Sequence, residues 1–315
     1  MKTKNLLKYI VFFDLVILTS LAAFFLLNPE KQQIDGNVRI NTPGDFVELS
    51  EGFVHYELSG APGGELVVLV HGFSVPYYVW DPTVDELVKQ GYRVLRYDLY
   101  GRGYSDRPKA EYNLDFFIQQ LSELTTVLIP GESFHIIGLS MGGPIVASFA
   151  NQYPDLIKSI TLIAPEVLPV SEEDIFPMNL PLLGEWIVGV YLVPFHLPQS
   201  QLDDFYQPQD FPGWEEKYRE QLQYNGFKNA ILSTIRNLVK FNPLDVYETL
   251  NKSGLPILLI WGKEDQSVSY EAIVELMERL PNVESIIIDE TGHLPHYEKA
   301  EIVNPMIIQF LQKIP

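Results

Sequence analysis

Ser140 stands between Gly138 and Gly142 in the stretch SFHIIGLSMGGPIVASFANQY, residues 133–153. An apolar run precedes it and an amphipathic run follows, so the serine is expected at an abrupt strand-to-helix turn that holds its hydroxyl above a sheet: G-x-S-x-G, the nucleophile elbow. A chain doubling back this tightly brings backbones too close for side chains at 138 and 142, which explains the glycines. The helix that follows would aim free N–H groups and the positive end of its dipole at an anion forming there. A serine hydroxyl is a weak nucleophile near neutral pH and needs a base to take its proton. His293, in TGHLPH, can serve, provided a buried carboxylate holds the imidazole in one tautomer and stabilises its cation. Asp265, in WGKED, is the candidate carboxylate; Glu264, Asp245 and Asp289 are alternative acids, and His296 is an alternative base. Gly72, in HGFS, lets the backbone approach a ligand, and the N–H groups of Phe73 and Met141 are expected to donate to an oxyanion.

These residues sit at the ends of alternating elements. From Glu65 the chain reads as buried strands separated by helices: ELVVLV, a helix over 79–90, YRVLRYD, a helix over 114–129, and the strand before Ser140. Continuous apolar runs indicate a sheet covered on both faces, hence mostly parallel and α/β. The alternation resumes with strands over 257–261 and 283–288 and ends in a helix over 301–313. In such sheets the functional loops emerge at the carboxyl ends of the strands, which places Asp265 and His293 on one rim with Ser140. Two shorter strands, over 46–49 and 53–58, suit an edge.

Other polar residues invite different readings. His71 ends a buried strand, where a histidine is ordinarily a structural hydrogen-bonder rather than a catalyst. Asp98 lacks a second carboxylate or histidine at ligand spacing, and it is expected to shape its loop by accepting bonds from backbone or Arg102. Neither G-x-G-x-x-G nor a P-loop is present. Residues 166–245 carry many prolines and no clear strands, with helices expected over 214–224 and 228–238; eighty residues is too long for a plain connection, so this is a helical cap. Trp186, Ile187, Tyr191, Leu192 and Phe195 would be packed in the cap, line an acyl site or touch a membrane.

The formal net charge of −19 argues against nucleic acid as a partner, and the absence of cysteine excludes disulfides, thiolate metal sites and cysteine nucleophiles. Residues 1–8 form a basic tail, and residues 9–27 are apolar except for Asp14, Thr19 and Ser20. At about 1.5 Å per residue that run is long enough for a transmembrane helix. Lys2, Lys4 and Lys8 put the N-terminus in the cytoplasm and the rest of the chain outside; cleavage as a signal peptide after Ser20-Leu21-Ala22 is the alternative. Residues 28–44 read as a polar tether. The chain then divides into a core, 45–165 and 246–315, and a cap, 166–245.

HGF, YDLYGRGYSD, GLSMGG, WGKED and GHLPHYEKAE occur in the order and spacing of α/β-hydrolase-fold serine hydrolases, which the chain resembles from about residue 46 to 314. The resemblance implies an eight-stranded, mostly parallel sheet with helices on both faces, a triad of Ser140, Asp265 and His293, and no metal or organic cofactor. GLSMGG is similar to the elbows of monoacylglycerol lipases, small carboxylesterases and carbon–carbon bond hydrolases alike. Where epoxide hydrolases and haloalkane dehalogenases carry an aspartate nucleophile, this chain has Ser140. The expected activity is hydrolysis of carboxylic esters, lipid-like ones included, with carbon–carbon bond hydrolysis, acyl transfer or a non-catalytic binding role as alternatives.

Overall fold

The computed structural model describes residues 2–314, with residues 2–7, 10 and 17 described by backbone alone. Eight strands form one sheet: β1 (Asp45–Leu49), β2 (Gly52–Ser59), β3 (Leu66–Val70), β4 (Arg93–Tyr97), β5 (Phe134–Leu139), β6 (Ile157–Ile163), β7 (Ile257–Gly262) and β8 (Glu284–Ile288). Their order is β1-β2-β4-β3-β5-β6-β7-β8. β1 and β2 form a hairpin, β2 pairs antiparallel with β4, and the pairs from β4 to β8 are parallel. β3 and β5 are buried at every position, which is why their sequences are continuous apolar runs.

Helices cover both faces. α1 (Lys2–Leu26) and α2 (Gly36–Asn41) precede the sheet; α3 (Asp81–Lys89), α4 (Leu114–Leu128) and α5 (Gly142–Gln152) follow β3, β4 and β5. After β6 the cap contains α6 (Leu183–Ile187), a π-helical stretch Val188–His196, α7 (Leu197–Ser200), α8 (Trp214–Arg219) and α9 (Phe227–Leu238). α10 (Pro243–Asn251) was not anticipated; it packs on α5 and returns the chain to the core, its start capped by Asn242, whose side chain accepts from Leu244 N–H. α11 (Tyr270–Arg279), α12 (Pro295–Glu298) and α13 (Ala300–Leu311) complete the shell.

The N-terminal run expected to span a membrane lies on α1, but among the described residues no helix is long and apolar enough to cross one. Asp14, Thr19 and Ser20 interrupt the run. The last turns of α1 lean on the cap, where Trp186 Nε1 donates to Ser20 O at 3.3 Å. The segment read as a tether is held along its length. Lys31 and Gln32 N–H donate to Gln223 O at 2.7 and 2.9 Å, and Asn225 N–H returns a bond to Gln32 O. Further on, Asp35 caps α2, and Arg39 pairs with Asp106 at 2.7 Å.

Candidate active site

β5 ends at Leu139 and α5 begins at Gly142, so the whole turn is Ser140-Met141. Ser140 has φ 53°, a conformation a side-chain-bearing residue adopts only when its surroundings impose it. Here they do: Ser140 N–H donates to Ile163 O at 3.0 Å, and Ser140 O accepts from Gly143 at 2.8 Å and Glu166 at 3.1 Å. A Cβ on Gly142 would lie 2.4 Å from Val70 O, and one on Gly138 2.5 Å from Gly142 O. Both positions therefore need glycine because neighbouring backbone occupies the space.

Ser140 and His293 line one cavity of about 440 Å³ between core and cap. His293 Nδ1 is 2.8 Å from Asp265 Oδ2, leaving Nε2 as the nitrogen for a reacting group. Asp265 is fixed in turn: its Oδ1 accepts from Ser267 and Val268 N–H at 2.8 and 3.0 Å. Burial works against a charged His293, but Asp265, Asp204 and Glu166 outweigh it and raise its pKa to about 9. Burial raises Glu166 to about 7, with His293 acting in the opposite direction, and it also raises Asp204.

The loop after β3 faces the serine. A Cβ on Gly72 would come within 3.0 Å of Ser140 Cβ, so this glycine permits the approach. Among the described residues, neither Phe73 nor Met141 N–H is bonded to a protein acceptor. His71 sets the orientation of the first: its Nδ1 donates to Gly72 O at 2.9 Å, and its Nε2 accepts from Leu99 N–H at 2.9 Å. Gly72 O and Phe73 N–H belong to one planar trans peptide and point in opposite directions, so holding the carbonyl aims the N–H. Burial lowers His71 to about 4, consistent with a neutral imidazole in one tautomer.

The remaining candidates fall elsewhere. Glu264 accepts from Thr291 N–H, Asp289 pairs with Lys263, and Asp245 lies at the start of α10. His296 is buried against Trp80, its pKa lowered by that burial to about 3. Asp98 shapes its loop through Tyr77 N–H, Tyr104 N–H and His55 Nδ1, at 2.8, 2.9 and 2.7 Å. Of the two donors expected, backbone or Arg102, it is backbone that bonds Asp98. Arg102 is fully buried and donates instead to Phe73 O at 2.8 Å and to Thr234 Oγ1 of α9 at 2.8 Å.

Several contributors carried no sequence signal because they lie in the cap or on a short helix. Gln221 Nε2 donates to Ser74 O at 2.9 Å. Asp204 O accepts from His293 N–H at 2.7 Å, and its carboxylate accepts from Ser267 Oγ at 3.0 Å. Glu298 accepts from Gly292 N–H at 2.7 Å with one oxygen, and from Tyr206 and Gln207 N–H at 2.8 and 3.1 Å with the other. Only the pairing of an acid with a glycine-flanked loop hints at Glu298. Among the described residues no cluster of metal-binding side chains occurs.

Comparison with known proteins adds three findings. A family model described as the alpha/beta hydrolase fold matches residues 65–300. Among curated proteins, Lipase 3 of Moraxella sp. is 28% identical over 76% of this chain and 74% of its own. A 2-hydroxy-6-oxononadienedioate/2-hydroxy-6-oxononatrienedioate hydrolase of Paraburkholderia phymatum is 27% identical over 82% of this chain and 90% of its own. Among solved structures, the enol-lactonase from Burkholderia xenovorans LB400 superposes with TM-score 0.73, at 21% identity over 85% of this chain and 99% of that one, a likeness of fold.

Proposed function

Because the chain belongs to the alpha/beta hydrolase family, we propose that it is a serine hydrolase that cleaves neutral carboxylic esters through an acyl-enzyme on Ser140. The observation that carries this reading is the strained Ser140 opening on the same cavity as His293, whose other ring nitrogen is held by buried Asp265.

In this mechanism Ser140 Oγ attacks the ester carbonyl carbon as His293 Nε2 takes its proton, and the carbonyl oxygen becomes an oxyanion that accepts from Phe73 and Met141 N–H. Collapse breaks the bond to the alkoxy group, which leaves as alcohol with the proton from His293. Water then attacks the acyl carbon, giving its proton to His293, and the carboxylic acid departs as Ser140 regains its proton. Each oxyanion donor lowers the barrier by about 3–4 kcal/mol.

The carbon–carbon reading is less well supported by the cavity. The relative's substrate is a dioate, whereas this cavity is lined by Asp203 and Asp204 with no lysine or arginine among its described lining. Apart from the His293 cation, negative charge on a substrate would meet no lysine or arginine there.

The enzyme is further read as membrane-attached through α1, with Lys2, Lys4 and Lys8 at its basic end. Exposed Tyr9, Phe12, Phe13, Leu18 and Phe25 on α1 support this reading.

The test is labelling by a fluorophosphonate together with turnover of p-nitrophenyl esters. Label on Ser140 and hydrolysis by the native chain, both lost in Ser140→Ala, are expected. No label on a folded native protein would overturn the reading.

A further inference from the structure

α6, the π-helical stretch and α7 form a continuous helical run, 183–200, whose two ends have different neighbours. Near its beginning it meets α1: Trp186 donates to Ser20 O, and Gly189 leaves room for Phe24, whose ring would lie 2.7 Å from an added Cβ. At its far end His196, Leu197 and Ser200 line the catalytic cavity. Between these ends the run exposes large apolar side chains. Tyr191 is 56% and Phe195 48% exposed, and Leu182, just ahead of α6, is 84% exposed. Residues 191 and 195 are four apart and so lie near one another on the helix surface.

Composition separates this run from the rest of the chain. In LGEWIVGVYLVPFHLPQS the only Asp, Glu, Lys or Arg is Glu185, and it is paired with Arg236 at 2.7 Å, in a chain of which 20% is charged. Exposed apolar side chains scattered singly need no explanation, but several on one run whose own charge is paired, with Arg219 of α8 meeting it at the Pro194 carbonyl at 3.0 Å, do. α1, on which this run leans, indicates the occupant. Phe12, Phe13, Leu15 and Leu18 are each more than half exposed, and at about 100° per residue they point around most of the circumference of α1, with Asp14 in the gap between Phe13 and Leu18. A second copy of the chain or another folded protein would cover one stripe of such a helix; lipid covers every side.

We propose that Leu182 and the run 183–200 are a lipid-facing rim, which seats the cavity mouth against the bilayer so that amphiphilic esters enter from the membrane. This rests on the membrane attachment through α1 described above. The native chain has no cysteine, so single cysteines can be placed at will. Leu15→Cys on α1, Leu182→Cys and Phe195→Cys on the rim, and Lys89→Cys on α3 would each carry an NBD fluorophore in the full chain, mixed with phosphatidylcholine vesicles containing brominated acyl chains. Blue-shifted, bromine-quenched emission at 15, 182 and 195 but not at 89 is expected. If 15 reports lipid while 182 and 195 behave like 89, the rim is refuted and the attachment stands; if 15 also reports water, both fall. The double variant Leu182→Glu/Phe195→Glu provides an independent readout. Its turnover of monoacylglycerol in vesicles should drop about tenfold or more, with hydrolysis of p-nitrophenyl acetate in solution unchanged. An equal fall in both rates would count against the rim.

Discussion

Ser140 is held at φ 53° by bonds to Ile163, Gly143 and Glu166, so the site stores strain of about 1–3 kcal/mol at the proposed nucleophile. Alanine there keeps the strain and removes the nucleophile. Ser140→Ala is expected to lose on the order of 10³- to 10⁶-fold in kcat while melting at nearly the native temperature. Ser140→Gly should lose activity equally but melt higher than Ser140→Ala, by about 1 kcal/mol of stability, because glycine accepts positive φ without cost. Thermal melts of the two variants side by side provide the check. His293 sets the pH dependence. With its pKa raised to about 9, the free enzyme holds the imidazole protonated below that pH, and a protonated imidazole cannot take the serine proton. kcat/KM should therefore rise with pH along an acid limb lying above the ordinary histidine value of about 6.5. Asp204→Asn and Glu166→Gln remove charges that favour the cation, and each should move the limb down; a limb at or below 6.5 in the native enzyme would contradict this arrangement.

The strands and the loops at their ends were legible because their signals are local. Buried parallel strands are written as apolar runs, and Ser140 and Asp265 each follow one, while His293 follows the edge strand β8, of which only Ile288 is buried. The boundaries shifted by one or two residues, as ends that fray commonly do. What could not be read were supports assembled from distant parts of the chain. Arg102 carries no mark of its bond to the Phe73 carbonyl, nor does Glu298 announce that it joins residues 206 and 207 to Gly292 across some ninety positions. α10 was missed for another reason: its start, capped by Asn242, falls where the cap and core sequences run together. Glu298→Gln tests the clamp. An amide presents a donor where one oxygen now accepts, leaving at least one N–H without a partner. About tenfold loss of kcat/KM is expected from a shift of the histidine loop costing near 1.4 kcal/mol. Steady-state kinetics beside a far-UV spectrum would separate this from unfolding.

At the scale of the whole molecule, residues 28–44 behave as a strap. Lys31 and Gln32 bind the cap at Gln223, Glu30 accepts from Lys228 N–H at 2.7 Å, and Arg39 reaches the core at Asp106. A chain beginning at Asn28 should keep its melting temperature and its turnover of short esters. One beginning at Asp45 should melt about 5–10 °C lower, having lost several part-buried hydrogen bonds at once. Equal melting temperatures for the two would mean that the strap contributes no stability. The attachment points of this strap bear on how the cavity could open. Both the end of α1 and the first residues after it are fastened to the cap, while the triad belongs to the core. The strap is fastened to the cap at Gln223 and Lys228 and to the core at Asp106, so any widening of the cleft between them has to lengthen or break it.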